Sequence, residues 1–169
     1  VGKSAQSKLE HSKLKHCESS QTLTAVNLAV SAAVEQKALD VRALDMTDKS
    51  DIADYFIIMS GTSQRHVQGI AEKLQLFLKN QLNEQPLYVS GSERSDWILL
   101  DYGDFVAHIF YEPTRQYYQV DELWKNGIPI KFSEEIEEQA RKLRTGIYLR
   151  CDDHARKNQA QSNSESPED

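Results

Sequence analysis

The five consecutive apolar residues Tyr55-Phe56-Ile57-Ile58-Met59 are followed at once by Ser60-Gly61-Thr62-Ser63. Apolar side chains then recur at helical spacing: Val67, Ile70, Ala71, Leu74, Phe77 and Leu78. An unbroken apolar run of strand length has no polar side to turn to water, so it predicts a central strand covered on both faces. The small polar residues after it predict a tight connection in which Thr62 or Ser63 accepts a bond from an unpaired backbone N–H at a helix start. That helix runs over about Gln64 to Gln81, and Gly69 inside it is expected to mark close packing against the sheet. A chain holding this unit must build layers, with helices packed on a sheet.

The flanking sequence supplies the rest of the layers. Val26, Ala29, Val30, Ala33 and Val34 recur every three or four residues between Leu23 and Lys37, one face of a first helix. Leu39, Val41 and Ala43 alternate with polar or small neighbours before Leu44 and Met46, which predicts a strand that begins half exposed. Downstream, Pro86 to Val89 reads as a short edge strand, since proline removes a ladder donor. Trp97 to Tyr102 and Phe105 to Tyr111 read as a hairpin with Gly103 and Asp104 at its tip. Pro113 opens a turn of helix that leads through Tyr117 and Tyr118 to Leu123 and Trp124. The predicted fold class is α/β, a mixed sheet of about five strands with packed helices, and no internal repeat is present.

The predicted organisation is a flexible lead-in over 1–21, an α/β domain over 22–126, an appended helical extension over 127–151 and a disordered tail over 152–169. Phe132, Ile136, Ala140 and Leu143 form the extension's thin apolar stripe. The tail is rich in Asn, Gln, Ser and acids and has nothing to bury.

Within 22–126, nine Lys or Arg stand against fifteen Asp or Glu, so the domain carries the whole of the net charge of −6 while the two flanks cancel. A phosphate backbone repels such a surface and a basic protein is drawn to it, so direct nucleic-acid binding by the core is not expected. Cys17 and Cys151, one near each end, make neither a disulfide framework nor a metal motif and are read as free thiols in a reducing cytosol. No stretch approaches the roughly 20 apolar residues of a membrane span, and 1–20 lacks a secretory apolar region. The expected location is cytoplasmic.

The segments Asp54-Tyr55-Phe56-Ile57-Ile58-Met59-Ser60-Gly61-Thr62-Ser63-Gln64-Arg65-His66-Val67 and Trp97-Ile98-Leu99-Leu100-Asp101-Tyr102-Gly103-Asp104, with His108, Phe110, the Glu112 to Tyr118 turn and Leu123-Trp124 following, resemble the signature of the ribosomal silencing factor (Iojap) family. The resemblance covers about Leu23 to Trp124. It implies a nucleotidyltransferase-like core without catalytic residues, and a protein that needs no cofactor and is not an enzyme. It also implies a partner, large-subunit ribosomal protein fourteen, bound on the face that meets the small subunit. Subunit joining would be blocked there, lowering translation when nutrients are scarce. The lead-in and the chain after about Gly127 lie outside the pattern, and oligomeric state, a homodimer included, is left open.

The predicted contact surface is the sheet face around Trp97, Leu99, Asp101 and Tyr102, with Asp104 and His108 nearby and Tyr117 on the helix that follows. Trp97 begins its strand after the polar run Ser92 to Asp96, where full burial is not expected, and tryptophan is enriched at binding hot spots. A place in the core is its alternative. Alternation puts Trp97, Leu99 and Asp101 on one face of their strand and Val106, His108 and Phe110 on one face of the next, and the register decides whether those faces coincide. For Asp101, Asp104 and His108 the competing readings are solvated turn acids with a hydrogen-bonded core histidine, and a metal or acid–base site.

The rival function is a nucleotide-dependent transferase built on the Gly61 to Ser63 turn and the hairpin acids. Backbone N–H groups at a helix start can hold an anion, but phosphate loops carry several glycines and a lysine. Metal-dependent transfer also needs paired carboxylates, and between Gln64 and Ser95 the acids are the isolated Glu72, Glu84 and Glu93.

Overall fold

In the computed structural model, which describes residues 20–143, helix α1 covers 20–35 and strands β1 (Leu39–Asp45) and β2 (Tyr55–Gly61) follow. Helix α2 (Gln64–Leu82) leads to β3 (Tyr88–Ser90), β4 (Trp97–Asp101) and β5 (Phe105–Tyr111). Two short helices, α3 (Glu112–Tyr118) and α4 (Val120–Leu123), precede β6 (Ile128–Pro129) and helix α5 over 134–143. The strands form one sheet in the order β3-β4-β5-β2-β1-β6. Among the described residues only β2 and β5 pair in parallel, and the other four pairings are antiparallel.

The apolar run of β2 is explained by two cores, one on each side of the sheet. All seven of its residues are buried. Tyr55, Ile57 and Met59 face an inner core with Val26, Ala29 and Val30 of α1 and Val67, Ile70 and Leu74 of α2. Phe56 and Ile58 face a smaller outer core with Leu44, Val106, Phe110 and Val120. At about 1.5–3 kcal/mol for each large apolar side chain taken from water, this strand anchors both layers.

The connection to α2 forms as its residues require. The Ser63 hydroxyl accepts the backbone N–H of His66 at 3.1 Å, and a Cβ on Gly61 would lie 2.9 Å from the Val67 backbone and side chain, so the first helical turn closes over a glycine. Gly69 corrects the expectation placed on it: nothing lies within 4 Å of a Cβ built there, so it faces open space rather than the sheet. Phe77, expected in the buried stripe, is half-buried at its margin.

The sixth strand was not foreseen. Ile128 and Pro129 pair with Asp45 and Leu44, and two residues are too short to carry alternation. The first helix also takes in Ser20 and Gln21, which the sequence reading places in the lead-in. The remaining lead-in, 1–19, the end of the extension, 144–151, the tail and both cysteines lie outside the described residues. Phe132, Ile136, Ala140 and Leu143 pack against the inner core. No helix among the described residues is long and apolar enough to cross a membrane.

Candidate interaction face

The register of β4 against β5 brings the two expected faces together. Trp97 lies opposite Phe110, Leu99 opposite His108 and Asp101 opposite Val106, so all six side chains share the outer side of the sheet. Ile98 and Leu100 point the other way into the inner core. The outer side is built of rings. Trp97 stacks on Phe110 with centroids 4.9 Å apart and lies 6.1 Å from Tyr118, while its indole N–H donates to His108 Nδ1 at 3.3 Å. His108 lies 4.6 Å from Trp124 and 5.2 Å from Phe56.

Helix α3 completes the rim. Tyr117 and Tyr118 meet edge to face at 5.1 Å and are 82% and 56% exposed, against 36% for Trp97. A groove of about 580 Å³ runs between Trp97 and α3, lined by Asp96, Trp97, Pro113, Tyr117 and Tyr118. Aromatic rings left half in water in this density are the side chains that dominate binding hot spots.

What holds α3 in place is Arg115, only 3% exposed. Its Nε and Nη2 donate to the two carboxylate oxygens of Asp121 at 3.0 and 2.8 Å. Its Nη1 donates to the Asp40 carbonyl at 2.9 Å and to Ser60 Oγ at 3.1 Å. Arg42 joins the group through Asp40 and Asp121. The hydrogen bond from Arg115 holds the Asp121 carboxyl below the usual carboxylate range, against the opposing effect of burial. The sequence reading missed this clamp. Residues 115 and 121 share no helical spacing, and they meet because Gln119 takes a left-handed conformation, φ 49°, between α3 and α4. The available signal was Arg115 itself, the one cation between Arg94 and Lys125.

The expected site residues separate into three groups. Trp97, Leu99 and Asp101 share the outer face, and Tyr117 borders it from α3. Tyr102 does not: it stacks on Phe105 at 4.6 Å and packs against the inner core, because alternation carries Ile98, Leu100 and Tyr102 to the helix side. Burial, with Glu84 adding to it, pushes its hydroxyl pKa upward. His108 is corrected as well, since at 4% exposure it lies under the face rather than on it, and burial pulls its pKa down to about 4.

Asp104 is exposed at the hairpin tip, where its carboxylate accepts the Thr22 hydroxyl at 3.1 Å. Five residues of β5 separate that tip from Phe110 and Trp97, roughly 17 Å along the strand. The tip belongs to an acidic end of the sheet. The Asp54 N–H donates to the Asp104 carbonyl and Asp45 pairs with Tyr55, which gathers Asp45, Asp54, Asp101 and Asp104 with Asp48 and Asp51 of the connecting turn. Among the described residues none of these six is ion-paired with a Lys or Arg.

The parts of the rival transferase lie apart. β2 runs parallel to β5 from Tyr55 beside Phe105 to Gly61 beside Tyr111, so the Gly61 to Ser63 turn and the hairpin acids sit at opposite ends, roughly 20 Å from one another. Among the described residues no three His, Cys, Asp or Glu side chains are grouped to hold a metal ion.

Comparison with known proteins places this geometry. The profile of the family described as ribosomal silencing factor during starvation matches residues 18–168, reaching beyond the Leu23 to Trp124 span of the motifs. The ribosomal silencing factor RsfS of Halalkalibacterium halodurans is 40% identical over 102 residues, 59% of this chain and 84% of that protein. Its counterpart in Bacillus subtilis is 37% identical over 102 residues, 59% of this chain and 83% of that protein. A crystal structure of a protein from Chromobacterium violaceum superposes with a TM-score of 0.58 at 29% identity, covering 66% of this chain and 91% of the other.

Proposed function

The chain belongs to the ribosomal silencing factor family, and on that premise we propose that it binds the large ribosomal subunit through large-subunit ribosomal protein fourteen and blocks joining of the small subunit. The observation that carries this reading is the outer face: Trp97, Tyr117 and Tyr118 stand half in water beside Leu99 and Asp101, on a sheet whose other side is closed by helices. The mechanism is steric. A rigid sheet presents rings whose desolvation drives association, and the acidic end of the same sheet draws a basic protein and speeds encounter. The rival transferase has no support in this geometry, since its turn and the hairpin acids do not converge.

Sedimentation with purified ribosomal subunits tests the proposal. The protein is expected to travel with isolated large subunits and not with joined ribosomes, whose intersubunit face is already covered. Equal binding to joined ribosomes would overturn the steric mechanism.

A further inference from the structure

The indole N–H of Trp97 can only donate, so the His108 Nδ1 atom 3.3 Å away accepts and the neutral ring carries its proton on Nε2. That Nε2 atom is buried and has no hydrogen-bond partner among the described residues. An unpaired buried N–H lowers stability. A phenylalanine would fill nearly the same space between Phe56, Trp124 and Phe110 without that cost. What histidine supplies and phenylalanine cannot is the acceptor for Trp97.

We propose that His108 is a positioning residue for Trp97, fixing the rotation of the half-exposed indole so that the contact face meets its partner with the ring already oriented. The inference rests on the outer face being the ribosome contact. Trp97 stacks on Phe110 and is 36% exposed, so without the acceptor its N–H would be open to water with the ring turned outward. An anchor that is already oriented loses less side-chain freedom on binding. The acceptor is kept available by the ring's neutrality. The charged and titratable groups on the elements at its outer side are Asp101 on β4, Asp40, Arg42 and Asp45 on β1, Glu112, Arg115, Tyr117 and Tyr118 on α3, and Asp121 and Glu122 on α4, with Lys125 after Trp124. None of them shares a hydrogen bond or ion pair with the His108 ring, and burial alone keeps it uncharged.

Leucine and asparagine have the same branched shape, and only asparagine can accept a hydrogen bond. Binding of His108→Asn and His108→Leu to purified large ribosomal subunits is measured beside their folding stability. His108→Asn is expected within about twofold of the unaltered protein, and His108→Leu weaker by about fivefold, the size of one hydrogen bond. Equal affinities for the two variants, weakened or not, would overturn the proposal.

Should either variant fail to fold, the unaltered protein decides without any ribosome. The Trp97 indole proton is expected to exchange slowly with solvent despite the ring's exposure, and its resonance to shift as His108 is titrated in acid. Fast exchange, or a resonance indifferent to that titration, would sink the proposal. Undiminished binding by Trp97→Ala would instead remove the contact face itself and leave the exchange result to speak for His108 alone.

Discussion

Strand β4 has two apolar sides that are covered to different degrees. Ile98 and Leu100, on the inner side, are lost under α1 and α2. Trp97 and Leu99, on the outer side, are only partly covered by the short helices after β5. The inner side is aliphatic and closed, and it holds the fold together. The outer side is aromatic and open, and its polar contacts are the buried Arg115 behind α3 and the hydrogen bond from Trp97 to His108. Hydrophobicity therefore does not distinguish the closed side from the open one here; the length of the covering helix does.

The largest test of this contrast is removal of the polar support. Arg115→Ala is expected to cost about 3–4 kcal/mol of folding free energy, near the lower end for breaking a buried ion pair because Asp121 keeps Arg42. Urea unfolding measures it, and a loss below about 1 kcal/mol would mean that apolar contacts alone hold α3.

Acid should separate the supports. His108 titrates near 6.5 when unfolded and at about 4 when folded. Between those values the unfolded chain binds the extra proton, so stability is full above pH 6.5 and falls as pH drops toward 4, by roughly 3 kcal/mol in all. Asp121, whose folded pKa is depressed below 3.8, adds its loss only below that value. Denaturation midpoints from pH 7 to 3 check the order. A flat profile between pH 6.5 and 4 in the unaltered protein would place His108 in contact with water.

Trp97→Ala is expected to weaken binding to large subunits by about 2 kcal/mol, roughly thirtyfold, with a smaller change in stability. If folding instead falls by about 3–5 kcal/mol, Trp97 is core and the contrast between the two sides fails at its central residue. Tyr117→Ala is the finest probe. At 82% exposure it should leave stability within about 0.5 kcal/mol and lower affinity by about 1 kcal/mol; unchanged affinity would take Tyr117 out of the contact.

Whatever depended on period could be read from the chain. The apolar run of β2, the helical stripes of α1 and α2 and the alternation of β4 and β5 all mark faces, and these faces were found where expected. Features set by geometry between elements could not be read. Tyr102 is a different case, a misreading of the period itself, since it follows Asp101 in the same motif and the pleat sends it to the opposite side. The pairing of Arg115 with Asp121 depends on a left-handed residue between two short helices, and β6 on a partner strand already in place. Gly69 shows the reverse error, since a glycine in a helix reads as close packing although its Cβ position is empty.

The parallel pairing of β2 with β5 has a consequence for how this chain is made. β2 and β5 align residues fifty positions apart, Tyr55 with Phe105 and Gly61 with Tyr111. As synthesis proceeds from the N-terminus, β1 can cover one edge of β2 early, while the other edge waits for everything up to Tyr111 to emerge. Long-range parallel pairing is slow to form. Until it forms, the most apolar strand of the protein offers a bare row of backbone donors and acceptors, so a chain cut short before β5 should aggregate rather than fold.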